Sequence, residues 1–207
     1  GVKKLKDINY RIMFDRIEAG TYMVAAAATK GRVLIKNVEP KIINKEISIL
    51  RKIGAKIIEK KNKVLVIGPA IVKSINIKTA PYPGFPTDLQ AQLMVLMCKG
   101  NNQSIIEENI FENRFMHVSE LNRMGADILV KGRKAIIKGN KKLNGAELMA
   151  TDLRASVSLV IAALISNKKS TINRIYHLDR GYENIEKKLS KCGARIKRIK
   201  WKSLEIN

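Results

Sequence analysis

Apolar and polar positions along this chain follow a pattern that occurs three times. At residues 50–57, 121–128 and 189–196, an apolar helix-like stretch ends in Gly-Ala and continues into a strand-like start. The three glycines are about 70 residues apart. Each copy is typical of the last turn of an amphipathic helix, a glycine that can adopt the positive φ of a helix stop, and the beginning of a strand. The pattern therefore predicts three similar units.

The first half of each unit repeats as well. Apolar helices rich in small residues are predicted at residues 21–29, 88–97 and 153–166. Strand-like runs with β-branched residues follow them at residues 32–38, 103–107 and 170–176. Further strand is predicted after each glycine, most clearly at residues 63–67 and 134–138. Each unit is therefore a succession of helix, strand, helix and strands.

Three such units indicate one α/β domain, because each has two helices whose apolar faces need cover. The Ala- and Ser-rich first helices can approach closely, so we predict a prism-like core of helices with sheets outside or between them. An open doubly wound sheet fits less well, and a coincidental run of αβ units is the alternative. We assign residues 1–12 to a connection, residues 13–200 to the domain with an incomplete first repeat, and residues 201–207 to a tail.

Composition narrows the class of function only modestly. The formal net charge of +22 raises the expectation of an anionic partner such as nucleic acid or a phosphorylated substrate. The lysines, however, extend from Lys3 to Lys202 rather than forming one stripe, and only 5% of residues are aromatic, so stacking platforms are scarce. We interpret the charge as a solvated basic surface, expect no nucleic-acid partner, and keep a dedicated nucleic-acid face as the alternative.

No segment predicts a membrane span, a disulfide or a metal site. The longest apolar stretch, residues 155–165, contains serines and is well short of the roughly 20 residues that cross a bilayer. Cys98 and Cys192 lie in helix-like surroundings, which favours burial of both in a reducing cytoplasm. His117 and His177 lack neighbouring ligands at metal-site spacing. We therefore expect a cytoplasmic protein with no membrane contact, metal or cofactor.

One carboxylate follows a proline-rich turn. Residues 79–86 contain several prolines and run directly into a helix start at Asp88. The simplest interpretation is that Asp88 caps this helix, because backbone N–H groups are free at a helix start. The functional alternative is a general base held by a rigid loop, an effect typically worth about 10²–10⁴ in rate.

Other charged residues stand at equivalent turns. Asp152 and Arg154 open the corresponding helix of the third unit. Because an arginine in a first turn opposes the helix dipole, we expect Arg154 either to pair with Asp152 or to face an anion. Arg114 and Arg180 lie between the strand and the second helix of the second and third units. Their equivalent places predict a shared cleft suited to carboxylate or phosphate, which guanidinium binds bidentately.

Five segments carry a resemblance to a known family: residues 15–21, 79–92, 111–117, 150–156 and 174–186. In order and in motif they closely resemble the bacterial UDP-N-acetylglucosamine enolpyruvyl transferases. The resemblance implies an EPSP-synthase-like inside-out α/β barrel of three βαβαββ-type repeats. It identifies this chain with the C-terminal half of a two-barrel enzyme whose active site lies between the barrels. It also implies transfer of the enolpyruvyl group of phosphoenolpyruvate to the 3-hydroxyl of UDP-N-acetylglucosamine, the first committed step of peptidoglycan synthesis.

The resemblance further implies roles for individual residues. Asp88 corresponds to a catalytic carboxylate that takes the proton of the sugar hydroxyl, and Arg180 to a catalytic arginine that holds phosphoenolpyruvate and senses domain closure. Ile110 corresponds to a contact with the UDP-sugar, and Asp152 to an aspartate close to the mobile cysteine loop of the other barrel. The full set of expected substrate-binding positions is Asp88, Ile110, Arg114, Asp152, Arg154 and Arg16.

The chain departs from the family in lacking the other barrel and its proton-donating cysteine loop. Neither Cys98 nor Cys192 replaces that cysteine, because both belong to the repeat scaffold. One cleft wall cannot enclose the substrates or exclude water, so we expect negligible turnover by this chain alone. An N-terminal domain acting in trans is then the expected partner. The alternative function is a noncatalytic basic module that binds anions or nucleic acid.

Overall fold

The computed structural model of the chain describes residues 1–199. Its α-helices are α1 (Arg16–Ala28), α2 (Asn44–Ile53), α3 (Gln90–Cys98), α4 (His117–Arg123), α5 (Leu153–Ile165), α6 (Tyr176–Asp179) and α7 (Ile185–Lys191). Its strands are β1 (Arg32–Lys36), β2 (Lys56–Lys60), β3 (Lys63–Ile67), β4 (Ile77–Lys78), β5 (Ser104–Glu107), β6 (Asp127–Lys131), β7 (Lys134–Lys138), β8 (Glu147–Met149) and β9 (Thr171–Asn173). Short 3-10 turns cover Pro40–Ile43 and Thr87–Leu89.

The first helices of the three units, α1, α3 and α5, form the centre of the molecule and pack against one another. Every residue of α3 is buried. A helix that is apolar on all sides is stable only when it is covered on all sides, and the small side chains of α1 and α5 permit that close packing. The predicted α/β class and the buried helix core are therefore confirmed.

In the described part of the chain, three separate sheets surround these helices. Their strand orders are β1-β3-β2, β4-β5-β7-β6 and β8-β9. The pairs β2/β3 and β6/β7 are antiparallel hairpins, whereas β4/β5 and β8/β9 are parallel pairs joined through a central helix. The second unit is thus a complete βαβαββ repeat, and within residues 1–199 no opening strand precedes α1 in the first unit. The predicted incomplete first repeat agrees with this topology.

The glycine stops have the predicted backbone conformation. Gly54, Gly125 and Gly193 have φ values of 106°, 90° and 95°, in the region that favours glycine. In the first two units, the chain then enters β2 and β6 as expected. Local sequence therefore determines these helix ends and the strands that follow two of them.

The third unit differs from the prediction after its glycine. Residues 194–199 form no strand, so within residues 1–199 the third sheet contains only β8 and β9. In the other units the equivalent strand pairs with the second strand of a hairpin, and residues 194–199 have no such partner in the described part of the chain. An open groove bounded by α1, α5 and α7 lies at this place.

The same open side explains why one cysteine is not buried. Cys192 precedes the third glycine as Ile53 and Met124 precede the first and second, and both of these are fully buried. Cys192 is exposed, because no hairpin of the described chain covers the end of α7. The prediction of a buried Cys192 is therefore wrong, whereas Cys98 is buried and its pKa is raised to about 12 by that burial.

Residues 1–13 are exposed and form no helix or strand. The predicted boundary between the connection and the domain, between residues 12 and 13, stays a prediction. The predicted tail, residues 201–207, and residue 200 lie outside the described residues. Among residues 1–199, no helix has both the length and the apolar character to cross a bilayer.

A close approach between α1 and the turn at Thr87–Leu89 depends on Gly20. A Cβ added to Gly20 would collide with the Leu89 side chain, which is buried. We expect Gly20→Ala to lower the free energy of unfolding by about 1–3 kcal/mol through overpacking. Urea denaturation measures this change.

A double-mutant cycle identifies the cause of that loss. In a Leu89→Ala background the collision is removed, so Gly20→Ala should become neutral or stabilise the chain by about 0.5–1 kcal/mol through helix propensity. An equal loss in both backgrounds would contradict overpacking as the cause.

Candidate active-site wall

The loop that presents Asp88 is held at both ends. Thr79 and Phe85 form a bridge, and the Ala80 amide donates to the Phe85 carbonyl oxygen at 3.0 Å. Phe85 is buried beneath the loop. The chain then turns at Pro86 into the short 3-10 helix that contains Asp88. Proline and this short-range bonding restrict the loop, so the position of the Asp88 backbone is well determined.

The Asp88 carboxylate lies between two arginines. Arg114 Nη2 donates to Asp88 Oδ1 at 2.7 Å, and Arg154 Nη2 donates to Asp88 Oδ2 at 3.0 Å. The side chain makes no capping hydrogen bond to the helix start. The cap interpretation of Asp88 is therefore wrong, because the two guanidiniums outcompete backbone N–H groups as charge-assisted donors.

Arg114 reaches the site from the loop between β5 and α4. Its Nη1 donates to Thr87 Oγ1 at 2.9 Å, and its guanidinium lies over the Phe111 ring, 4.6 Å from the ring centre to Cζ. Two hydrogen bonds and a cation–π contact hold the group in one plane. Arg114 is only 24% exposed at its side chain, so its charge acts at short range on Asp88.

Arg154 reaches the same carboxylate from the first turn of α5. Asp152 does not pair with it, because its Oδ1 accepts from the backbone amides of Arg154 and Ala155 at 2.8 and 2.9 Å and so caps α5. The predicted pairing of Arg154 with Asp152 is therefore wrong, whereas the alternative, that Arg154 faces an anion, agrees with the structure. Arg154 pairs with Asp88, which lies 66 positions away in sequence.

A buried polar network connects this pair to the three central helices. The Tyr182 hydroxyl is 2.9 Å from Thr21 Oγ1 on α1 and 3.4 Å from Arg154 Nη1 on α5. Gln92 of α3 donates to Thr21 Oγ1 at 3.1 Å and to the Asp88 carbonyl oxygen at 2.9 Å. Burial raises the pKa of Tyr182. The network therefore holds Asp88 and Arg154 in place relative to the three central helices.

Sequence reasoning did not identify Thr21, Gln92 or Tyr182 as site residues. A signal was present for Thr21 and Gln92, since polar side chains on the buried faces of largely apolar helices need hydrogen-bond partners. Their partners, however, come from other units of the chain, so the pattern of one helix does not specify them.

Arg180 is placed differently from Arg114 and Arg154. Its side chain is exposed, and no described residue forms a salt bridge with it. It lies two positions before Tyr182, whose hydroxyl contacts Arg154, but Arg180 itself makes no described contact with Asp88, Arg114 or Arg154. The structure therefore brings together Arg114 and Arg154, and the role of Arg180 stays a prediction.

The remaining predicted residues lie around the rim. Arg16 Nη1 is 3.3 Å from Glu46 Oε1, and its guanidinium lies over the Tyr82 ring of the proline-rich loop, with Cζ 5.1 Å from the ring centre. Burial raises the pKa of Glu46. Ile110 is 37% exposed at the start of the Arg114 loop. Both residues border the loops that carry Asp88 and Arg114, and their contacts with substrate stay predictions.

Comparison with protein families and sequences gives a consistent result. A family model described as EPSP synthase (3-phosphoshikimate 1-carboxyvinyltransferase) matches residues 1–189. The UDP-N-acetylglucosamine 1-carboxyvinyltransferase of Pelagibacter ubique is 65% identical over 199 residues, which are 96% of this chain and 48% of that protein. The protein of the same name from Rickettsia canadensis is 55% identical, with the same shares covered. The chain therefore spans about half the length of the curated relatives it matches.

Solved structures have the same fold. The enolpyruvyl transferase NikO from Streptomyces tendae superposes with a TM-score of 0.81 at 25% identity, covering 88% of this chain and 44% of that one. An EPSP synthase from Acinetobacter baumannii superposes with a TM-score of 0.60 at 14% identity, covering 79% and 39%. The second likeness concerns the fold alone. The predicted EPSP-synthase-like architecture is confirmed by these neighbours.

Proposed function

The chain belongs to the EPSP synthase family, and from that premise we propose that it forms one wall of the active site of a UDP-N-acetylglucosamine 1-carboxyvinyltransferase. Such an enzyme moves the enolpyruvyl group of phosphoenolpyruvate to the 3-hydroxyl of UDP-N-acetylglucosamine and releases phosphate. The reaction commits the nucleotide sugar to peptidoglycan synthesis. The names of relatives at 52–65% identity support this choice within the family.

The observation that carries the proposal is the Asp88 carboxylate held by Arg114 and Arg154. As the sugar oxygen bonds to the enolpyruvyl carbon, the hydroxyl must lose its proton to an acceptor. Asp88 is 33% exposed at its side chain, and each carboxylate oxygen has lone pairs beyond the one that its arginine uses. A hydroxyl can therefore reach Asp88 while both arginines keep it oriented.

The same arginines suit the charges of phosphoenolpyruvate. Each guanidinium has further N–H donors beyond its bonds to Asp88 and to Thr87 or Tyr182. These donors can bind phosphate or carboxylate oxygens in the planar geometry that guanidinium favours. Arg180 is an exposed cation two positions before Tyr182, and in this proposal it holds phosphoenolpyruvate. Preorganised positive charge at the leaving phosphate is a large source of rate enhancement.

The rim residues complete the proposed substrate site. Ile110 would contact the UDP-sugar, and Arg16 would border the same cleft beside the proline-rich loop. Asp152, which caps α5, would hold the turn that faces the cysteine loop of a second barrel. The proposal places this chemistry in the cytoplasm.

Efficient turnover by these residues requires a second wall. The Asp88 group is open to solvent on one side, and a water-filled site weakens every electrostatic contact within it. We therefore propose that a second domain, joined or acting in trans, supplies the proton donor and excludes water. This chain alone is expected to bind substrate weakly and to release phosphate at a negligible rate.

Calorimetric titration of the chain with UDP-N-acetylglucosamine tests the proposal. We expect weak binding that Asp88→Ala reduces and that the matched Asp127→Ala leaves unchanged, because Asp127 lies at the start of β6 and pairs with Lys138 and Lys141. Arg180→Ala should weaken binding of phosphoenolpyruvate rather than of the sugar.

The result that would contradict the proposal is absence of binding by a chain whose circular dichroism shows it to be folded. Binding of duplex DNA under the same conditions, without binding of the nucleotide sugar, would instead favour the basic-module alternative. Salt dependence of that binding would report how many phosphates are contacted.

A further inference from the structure

A second carboxylate, Glu108, lies directly behind the Asp88 group. It follows β5 and is fully buried. Its Oε1 accepts from Thr79 Oγ1 at 2.9 Å and from the amides of Ile110 and Phe111 at 2.9 and 3.1 Å. Its Oε2 accepts from Thr87 Oγ1 at 2.8 Å. These four donors are neutral, so hydrogen bonds hold this carboxylate in the interior.

The donors come from the two loops that form the site. Thr79 and Thr87 are the two ends of the proline-rich loop that presents Asp88. Ile110 and Phe111 begin the loop that carries Arg114. A single buried side chain therefore ties the proton acceptor's loop to the arginine's loop, and neither loop can shift without breaking bonds to Glu108.

The direction of these hydrogen bonds has a consequence for Arg114. A threonine hydroxyl has one hydrogen, and a guanidinium N–H only donates, so the Thr87 oxygen accepts from Arg114 and its hydrogen points at Glu108 Oε2. The Thr87 oxygen then presents its lone pairs outwards, where Arg114 Nη1 donates to it at 2.9 Å. Arg114 Nη2 is thereby aligned with Asp88 Oδ1 at 2.7 Å. Glu108 therefore orients a chain of hydrogen bonds that runs through the Thr87 hydroxyl and the Arg114 guanidinium to the Asp88 carboxylate.

Formal charge agrees with this arrangement. Asp88 and Glu108 are two carboxylates, and Arg114 and Arg154 are two guanidiniums, so the group has equal numbers of opposite charges. Without Glu108, the two arginines would face a single carboxylate, and their mutual repulsion would favour movement of one of them away from Asp88.

We propose that Glu108 is a positioning residue for the transfer reaction, acting through Thr87 and Arg114 to hold the Asp88 carboxylate where it accepts the proton of the sugar hydroxyl. The assignment rests on the proposed function in so far as Asp88 is the base. The hold of Glu108 on Arg114 is a separate physical property, and it can be measured without any reaction.

Side-chain NMR of the whole chain measures that hold. Hydrogen bonds from Arg114 to Thr87 and Asp88 should slow rotation of its guanidinium about the Nε–Cζ bond. Arg114→Lys identifies the signals of this residue. In Glu108→Gln, the side-chain NH2 replaces one of the two carboxylate oxygens. It either faces the Thr87 hydroxyl as a second donor or leaves the donors at the other oxygen without their acceptor. We expect rotation about tenfold faster, in line with the loss of one hydrogen bond to a charged group.

Three further variants make the test specific. Thr87→Val should speed the rotation as Glu108→Gln does, while Thr87→Ser keeps the hydroxyl and should preserve the wild-type rate. Glu107→Gln is the matched control, because this neighbouring carboxylate pairs with Lys78 and Lys134 and makes no described contact with Thr87. Rotation within twofold of wild type in both Glu108→Gln and Thr87→Val, with folded amide spectra, would overturn the proposal.

A kinetic arm links the hold to the reaction. The chain is mixed with the part of the Pelagibacter ubique relative that it does not match, and phosphate release is followed. Glu108→Gln should lower kcat about 10–100-fold with little change in KM, because displacement of a reacting group by about 1 Å can cost that much. The control Glu107→Gln should keep the wild-type kcat, since Glu107 pairs with Lys78 and Lys134. Altered rotation with unchanged kcat would overturn the positioning role. Failure of the wild-type chain to bind the nucleotide sugar would overturn the proposed function and leave the rotation result standing.

Discussion

Replacement of Asp88 by asparagine is expected to lower phosphate release by a factor of about 10²–10⁴, the usual contribution of a positioned general base. Asparagine keeps the size of the side chain and one acceptor oxygen, so it can still bond to one of the two arginines. It lacks the charge that, in the proposed function, takes up the proton of the sugar hydroxyl. The loss should therefore appear in kcat more than in KM.

The assay uses the chain together with the unmatched part of the Pelagibacter ubique relative, with UDP-N-acetylglucosamine and phosphoenolpyruvate as substrates. Asp127→Asn is the matched control, because it removes an exposed carboxylate whose described partners are Lys138 and Lys141. Urea denaturation of both variants separates an effect on chemistry from an effect on folding. Retention of at least a third of the wild-type kcat by Asp88→Asn would exclude the base role.

The second large effect concerns stability rather than turnover. His117 is buried at the start of α4, and its Nε2 has no hydrogen-bond partner among residues 1–199. Burial lowers its pKa to about 4, with Asp152 raising it and Arg114 lowering it further. In the folded chain the ring is buried and uncharged at neutral pH. In the unfolded chain its pKa is about 6.5, so the unfolded chain takes up a proton at His117 more readily.

The direction of the pH effect follows from that difference. Between pH 6.5 and about 4, the unfolded chain binds a proton at His117 that the folded chain does not, so stability rises with pH in this window and falls as the solution is acidified. The contribution is fully present above pH 6.5. Between pH 6.5 and pH 4, the free energy of unfolding falls by about 3 kcal/mol through this group.

Urea denaturation of wild type and His117→Leu at several pH values measures this contribution. Carboxylates also titrate in this range, so the decisive quantity is the difference in unfolding free energy between the two proteins. That difference should change by about 3 kcal/mol in favour of the variant as the pH falls from 7 to 4. His177→Leu, which removes the chain's other histidine, should not reproduce the change. A pH-independent difference for His117→Leu would contradict burial of an uncharged ring.

The sequence alone determined the repeated unit and its helix ends. A helix stop needs only a few neighbouring residues, and Gly54, Gly125 and Gly193 adopt positive φ as their local patterns predict. Small apolar side chains also indicated that α1, α3 and α5 pack together in the core. These properties depend on periodicity and on backbone sterics within one segment, which is why they can be read without knowledge of the rest of the chain.

Which charged residues meet depends on contacts between distant segments of the chain. Asp88 has a local pattern typical of a cap, yet it pairs with Arg154, 66 positions away, and with Arg114 from a third segment. Such pairs depend on how closely the central helices approach, since an ion pair forms within a few ångströms. For the same reason, the sequence did not indicate the hydrogen-bond partners of Thr21 and Gln92.

The tertiary structure also decided where the repeat fails. The pattern around Cys192 is as regular as that around Ile53 and Met124, but residues 194–199 have no strand partner within the described chain, and Cys192 is exposed. A strand is stabilised by the neighbour with which it pairs, so its own residues are insufficient to predict it. Glu108 shows the same limit at the site, because its importance comes from four donors that lie on two different loops. Helix ends and burial are local properties of this sequence, whereas strand pairing and the assembly of the Asp88 group follow from contacts between distant segments.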